Sequence, residues 1–225
     1  AHEIPIAVQT PDPSGFIGLM ALLGLYVGVL PVALGMLWLP WLRRVPDGWL
    51  RGLMALTIGL LAVLGVDAAL EGVAIAGEGA AAFGGPVLVF IGAIVAYATL
   101  TGITAWVGSR RRAAEAGGAS GATLALLVAI GIGLHNLGEG LAIGSAYAAG
   151  ALALGASLVI GFALHNTTEG LAIVAPIAEK GLSLWRLVGL GLVAGAPAIP
   201  GAWLGASAVS PALVSGLLGF GGGAV

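Results

Sequence analysis

The chain has 225 residues, 59% of them hydrophobic and 8% charged, with 40 glycines and a formal net charge of −2. A water-soluble domain carries about 25% charged residues, so this composition excludes a soluble globule and predicts an all-α, polytopic transmembrane helix bundle in the lipid bilayer. The absence of cysteine excludes disulfides and thiolate ligands, and basic residues confined to short separate clusters exclude nucleic acid as a partner.

The polar opening, AHEIPIAVQTPDPSG, lacks the basic and apolar regions of a signal peptide and reads as an extramembrane lead-in. A helix crossing the ~30 Å hydrocarbon core needs about 20 mainly apolar residues. Windows of that kind fall at Gly15–Leu42, Leu50–Gly77, Phe83–Gly108, Ala122–Tyr147, Leu152–Ala178 and Leu182–Val209. A partial seventh, read as incomplete, runs from Pro211 to Val225. The linkers are short, so sequential helices are expected to be antiparallel neighbours. The charged, Gly-rich RRRAAEAGGASG between the third and fourth spans is the natural break.

With this division every basic residue falls on one side. Arg43, Arg44 and Arg51 flank the first linker, Arg110, Arg111 and Arg112 open the third, and Lys180 and Arg186 bracket the fifth. Cytoplasmic loops retain Lys and Arg, which puts the N-terminus outside. Five of the six tryptophans (Trp38, Trp41, Trp49, Trp106 and Trp185) fall near the inner interface and Trp203 near the outer one, the depths at which such rings settle.

Against this background the fourth and fifth spans carry groups that do not belong in lipid. GLHNLGEGLAIG places His135, Asn136 and Glu139 near the middle of one span, and ALHNTTEGLAIV places His165, Asn166 and Glu169 near the middle of the next. Intramembrane ionisable residues are costly unless partnered and usually mark a site or a pathway. A glutamate four residues after a histidine shares its helix face. Two such helices therefore offer two neutral imidazoles and two carboxylates to one space, where the carboxylates alone would repel. A divalent cation cancels their charge, and an N/O donor set suits Zn²⁺ as well as Fe²⁺, Mn²⁺, Co²⁺ or Cd²⁺. A structural His/Glu contact is the plain alternative for one motif; its repetition at mid-span favours a metal. The two asparagines are either direct ligands or interhelical hydrogen bonders.

A third echo, GVDAALEGVAIAG in the second span, puts Asp67 and Glu71 where His135 and Glu139 stand; the pair reads either as an outer entry or secondary cation site, or as solvated acids at a helix end. Glycines along both motif helices permit close helix approach. Pro176, Pro197 and Pro200 free backbone carbonyls near a cavity.

HNLGEGLAIG and HNTTEGLAI resemble the metal-binding fourth and fifth helices of the ZIP (Zrt-/Irt-like) family of divalent metal transporters. The resemblance covers about fifty residues, Gly133 to Pro176. It implies a single transmembrane domain of eight helices, usually a homodimer, carrying the metal inward past a mid-membrane site in a membrane of the prokaryotic inner type. By elevator-like sliding, spans 15–42, 122–147, 152–178 and 182–209 would move against a scaffold of 50–77, 83–108 and 211–225. His135, Glu139, His165 and Glu169 would be primary ligands, with Asn136 and Asn166 at a neighbouring second site. The family often has proline before each glutamate, where Gly138 and Thr168 stand here. Ile199 occupies the place of a sixth-helix glutamate that bridges to a second metal, so one strong site is expected. A proton or ion channel using the His and Glu groups as relays, or an intramembrane metalloenzyme, is the competing reading. The enzyme is disfavoured because HExxH is absent.

Overall fold

The computed structural model describes residues 13–38, 40, 46–78, 86–118, 120–177, 183–208 and 210–224; Arg43, Arg44, Trp41 and Lys180 lie outside them. The described residues are helical throughout, with no strand. Among the described residues, six helices are long and apolar enough to cross a membrane. We number the helices α1 (Ser14–Leu37), α2 (Asp47–Glu78), α3 (Val87–Ala116), α4 (Gly121–Ala148), α5 (Leu152–Ile177), α6 (Leu184–Ala206) and α7 (Pro211–Ala224). At 14 residues, α7 is about 21 Å long by the helical rise, short of a full crossing.

The third span outruns its expected end at Gly108. Good helix formers and the Arg111–Glu115 pair, 2.9 Å apart at i and i+4, carry α3 to Ala116. What reads as linker is thus mostly helix. The turn comes at Gly118, whose φ of 70° is open to glycine without strain. Ser120 then caps α4, its hydroxyl accepting from the Thr123 amide at 3.4 Å, and Gly150, with φ 74°, ends it.

Three of the described helices are irregular, each at a proline: α5 ends in a 3-10 turn at Ala175–Ile177, around Pro176, and α1 and α6 are interrupted within their length. In α1 a π-turn spans Leu25–Val29, closed by the Leu30 amide donating to the Leu25 carbonyl. Pro31 follows. Proline has no N–H and its ring crowds the carbonyl four residues back, which here is that of Val27, so the helix widens around it. The sixth span is two helices, Leu184–Gly195 and Ala198–Ala206, broken at Ala196 and Pro197.

The helices alternate in direction. Gly121 at the start of α4 lies against Pro176 at the end of α5, and Tyr147 at the end of α4 lies against Gly155 at the start of α5. By the same pairings α4 runs parallel to α6, and α2 runs antiparallel to α7. Alternation brings Arg51, Arg110, Arg111, Arg112 and Arg186 to one end of the bundle, called the basic end below.

Lipid tails are as apolar as leucine, so helix association in a bilayer rests on close packing and not on hydrophobic burial. Between α4 and α6, a Cβ on Gly140 or Gly144 would strike the carbonyls of Ala198 or Ala202, and one on Gly201 or Gly205 would strike those of Leu137 or Leu141. Gly35 and Gly170 seat α1 on α5 in the same way, and Gly28 and Gly195 seat α1 on α6. A separate set, Gly92 and Gly219, joins α3 to α7. The packing thus joins α1, α4, α5 and α6, and joins α7 to α2 and α3, while α7 also packs on α4 through Gly221 and Ala142 and α2 on α5 through Leu64 and Gly161.

The buried apolar side chains form two clusters. One holds Val27, Leu64, Ile143, Leu158, Phe162 and Leu218; the other, nearer the basic end, holds Val32, Met36, Ala129, Ile173 and Leu190. Along α4 and α5, residues 135–139 and 165–169 fall between the two. Outward faces carry exposed residues such as Leu22, Val63, Ile94 and Ile160, as a lipid-facing surface requires.

Gly144→Leu, which drives a side chain into the α6 backbone, is expected to destabilise the bundle by about 1–3 kcal/mol or more. Gly189→Leu, where nothing lies within 4 Å, is expected to leave stability unchanged. Thermal unfolding in detergent, followed by circular dichroism, compares the two.

Candidate metal centre

Where α4 and α5 cross the layer between the apolar clusters, their polar motifs face each other. One nitrogen each from His135 and His165 and one oxygen of Glu169 lie within 4.8 Å of one another, and no other group of three such donors occurs among the described residues. The imidazole rings meet edge-on at 71°, with centroids 5.6 Å apart. Glu169 Oε1 is 3.6 Å from His165 Nε2 and 3.9 Å from His135 Nε2, bridging the two helices. Glu139 stands just behind: its Oε1 is 3.5 Å from His135 Nε2, and its Oε2 accepts a hydrogen bond from Asn166 Nδ2 at 2.8 Å.

These distances bear on both readings of the cluster. Separations of 3.6 and 3.9 Å are too long for hydrogen bonds. A tetrahedral Zn²⁺ with bonds of about 2.0–2.1 Å holds its donors about 3.3–3.4 Å apart, close to what is seen here. Glu139 Oε1, Glu169 Oε2 and His165 Nδ1 are moreover buried without a hydrogen-bond partner, which is costly for groups of this kind. His135, His165 and Glu169 offer two imidazole nitrogens and a carboxylate oxygen to one space, a donor set that fits a divalent cation of borderline softness, with the Glu139 carboxylate beside His135.

The two asparagines are both fully buried and tie helices together. Asn166 uses both protons of its amide, one to Glu139 and one to the carbonyl of Val27 at 3.0 Å. That carbonyl belongs to the π-turn and is the one that Pro31 deprives of its usual helical donor. Asn136 donates to the Ala194 carbonyl at 2.9 Å, in the last turn before the break in α6, where helix carbonyls lack intrahelical partners. Each asparagine thus satisfies a carbonyl next to an irregular turn. Their Oδ1 atoms have no hydrogen-bond partner, and that of Asn166 belongs to the amide already bonded to Glu139. Pro31, four residues after Val27, is the sequence signal for the Val27–Asn166 bond.

The remaining expected residues fall elsewhere. Asp67 sits on an exposed face of α2 with Val63, Val66 and Leu70, and Glu71 is half-buried; neither joins the His/Glu group. The backbone of Ile199 packs against Gly24 of α1. At the places where proline is common in the resembling family, both helices stay unbroken. Thr168 turns its hydroxyl back to the His165 carbonyl at 2.6 Å, and Thr167 does the same to Ala163 at 3.0 Å.

No family model and no curated protein matches the chain.

Asn166→Ala strands both Val27 O and Glu139, and is expected to cost about 1–3 kcal/mol for each stranded group; Asn136→Ala strands only Ala194 O and is expected to cost less. Adding Pro31→Ala to Asn166→Ala supplies an amide for the Val27 carbonyl and is expected to recover part of the loss. Thermal unfolding of the three variants measures the coupling directly.

Proposed function

We propose that this chain is a divalent metal transporter of the ZIP type, with Zn²⁺ the leading cargo and Fe²⁺, Mn²⁺, Co²⁺ and Cd²⁺ as chemically compatible alternatives. The observation that carries the reading is the convergence of His135, His165 and Glu169 from two neighbouring helices, with Glu139 behind them, between the two apolar clusters. Bringing a doubly charged ion to that depth costs much of its hydration, and only replacement donors of matching charge offset the loss. Two carboxylates and two neutral imidazoles do so with no net charge left over.

In this reading the N-terminus faces outward, because the arginines gather at the opposite end, and the ion moves toward that basic, cytoplasmic end of an inner-membrane homodimer. The site is mononuclear, since Ile199 offers no donor where a second ion would need one. Asp67 and Glu71 act as acidic attractors on the outer half of α2. Alternating access is a slide of α1, α4, α5 and α6 against α2, α3 and α7. What supports that division is the packing: the first set is joined by reciprocal glycine contacts, and all four metal-facing side chains lie within it.

Purified protein is expected to bind one equivalent of Zn²⁺, with binding lost in His165→Ala and Glu169→Ala. Glu139→Ala is expected to bind about 10–100-fold more weakly, as for a residue that orients a ligand. In liposomes, saturable Zn²⁺ uptake should vanish with His165→Ala. A proton current that persists after metal removal would instead establish the relay-channel reading.

A further inference from the structure

The two carboxylates of the site are not held alike. Glu169 sets Oε1 3.6 Å from His165 Nε2 and 3.9 Å from His135 Nε2, and its Oε2 is buried with no hydrogen-bond partner. Glu139 is 1% exposed and has one oxygen already engaged. Its Oε2 accepts from Asn166 Nδ2 at 2.8 Å, which leaves Oε1, 3.5 Å from His135 Nε2 and without a hydrogen-bond partner.

The Asn166 amide is fixed from two sides. It is fully buried, and its two protons go to Glu139 Oε2 and, at 3.0 Å, to the Val27 carbonyl. Both partners are acceptors, so the nitrogen of the amide faces them and the oxygen does not. The Val27 carbonyl depends on this donor because Pro31, four residues on, has no N–H to offer it. Turning the amide away would leave two buried acceptors without a donor, which is costly. Through Asn166, α1 and α5 together set how the Glu139 carboxylate on α4 is turned.

That orientation bears on how many donors a cation finds. Were both carboxylates to use both oxygens, the two imidazoles and two glutamates would offer six donors, the number of an octahedral shell of the kind that suits Mn²⁺. With one atom from each residue they offer four, the number that Zn²⁺ takes. The Asn166 N–H puts partial positive charge beside Glu139 Oε2, where a second contact between a cation and that carboxylate would form.

We propose that Asn166 is a specificity-determining residue, which holds Glu139 to a single oxygen for the ion and so favours four-coordinate Zn²⁺ over six-coordinate Mn²⁺. The proposal rests on the metal-transport reading above and narrows its list of cargoes. Asn166 acts through Glu139 and is not itself a ligand.

The test compares the Zn²⁺ and Mn²⁺ dissociation constants of purified protein by equilibrium dialysis. Asn166→Leu keeps most of the side-chain volume and removes the donor; it is expected to lower the preference for Zn²⁺ over Mn²⁺ about tenfold, as for other residues that orient a ligand. Asn136→Leu cuts the bond to the Ala194 carbonyl without touching a carboxylate, and is expected to leave the preference unchanged. Adding Pro31→Ala to Asn166→Leu returns a donor to the Val27 carbonyl. This double variant is expected to regain stability while its preference stays lowered, a separation that a purely structural role does not produce. Co²⁺ bound to the unmodified protein is expected to show the intense visible bands of a tetrahedral ion, weakened in Asn166→Leu. The proposal is overturned if the single and double variants keep the unmodified preference, or if Asn136→Leu lowers it equally. It is also overturned if Co²⁺ in the unmodified protein gives the faint bands of a six-coordinate ion, a result that requires no variant to fold. Failure of the unmodified protein to bind Zn²⁺ at all overturns the transport reading and this proposal with it, and is distinguished by the binding measurement alone.

Discussion

Two carboxylates inside an apolar bundle set the terms for everything around them. Glu139 and Glu169 come from adjacent helices, and the polar layer they occupy is bounded on both sides by tightly packed apolar side chains. Placed there alone they would repel each other. The histidines one turn before them, and the Asn166 amide that reaches Glu139, make the layer tolerable. The same layer brings donor atoms of His135, His165 and Glu169 within 4.8 Å of one another. A requirement of stability and a capacity for binding a cation thus arise from the same atoms.

Holding that layer in register requires helices to approach far more closely than ordinary side chains permit. Glycine at reciprocal positions of α4 and α6, and of α1 and α5, lets backbone meet backbone, which is where association energy comes from when lipid surrounds the bundle. Each such contact is intolerant of a methyl group. The His/Glu residues lie on α4 and α5, which these contacts tie to α6 and α1, while α3 meets α4 through side chains such as Val107 against Gly131.

The irregular turns of α1 and α6 occur where polar side chains bridge helices. Pro31 and the π-turn before it release the Val27 carbonyl to Asn166, and the break in α6 near Pro197 releases the Ala194 carbonyl to Asn136. Irregular backbone at membrane depth persists only where neighbouring groups satisfy it again. Here two buried asparagines do this, one beside the carboxylates and one on the adjoining face of α4. The chemistry of the site and the connections between its helices are consequently hard to alter separately.

Composition and hydropathy alone determined that this is a helical membrane bundle, because a chain with so few charges has no way to clothe a surface in water. The repeated His-x-x-x-Glu spacing determined which side chains share a helix face, because the helical period leaves no other outcome. Tertiary structure decided how those faces meet. It placed Glu169 between the two histidines and set Glu139 behind them, it gave both asparagines carbonyl partners on helices remote in sequence, and it left Asp67 and Glu71 away from the cluster although their spacing echoes the motif. It also extended α3 past the expected membrane boundary and split the sixth span in two. These outcomes depend on the rotation and depth of each helix against its neighbours, which backbone contacts at glycines and carbonyls freed by prolines set across the bundle, and no local periodicity encodes them.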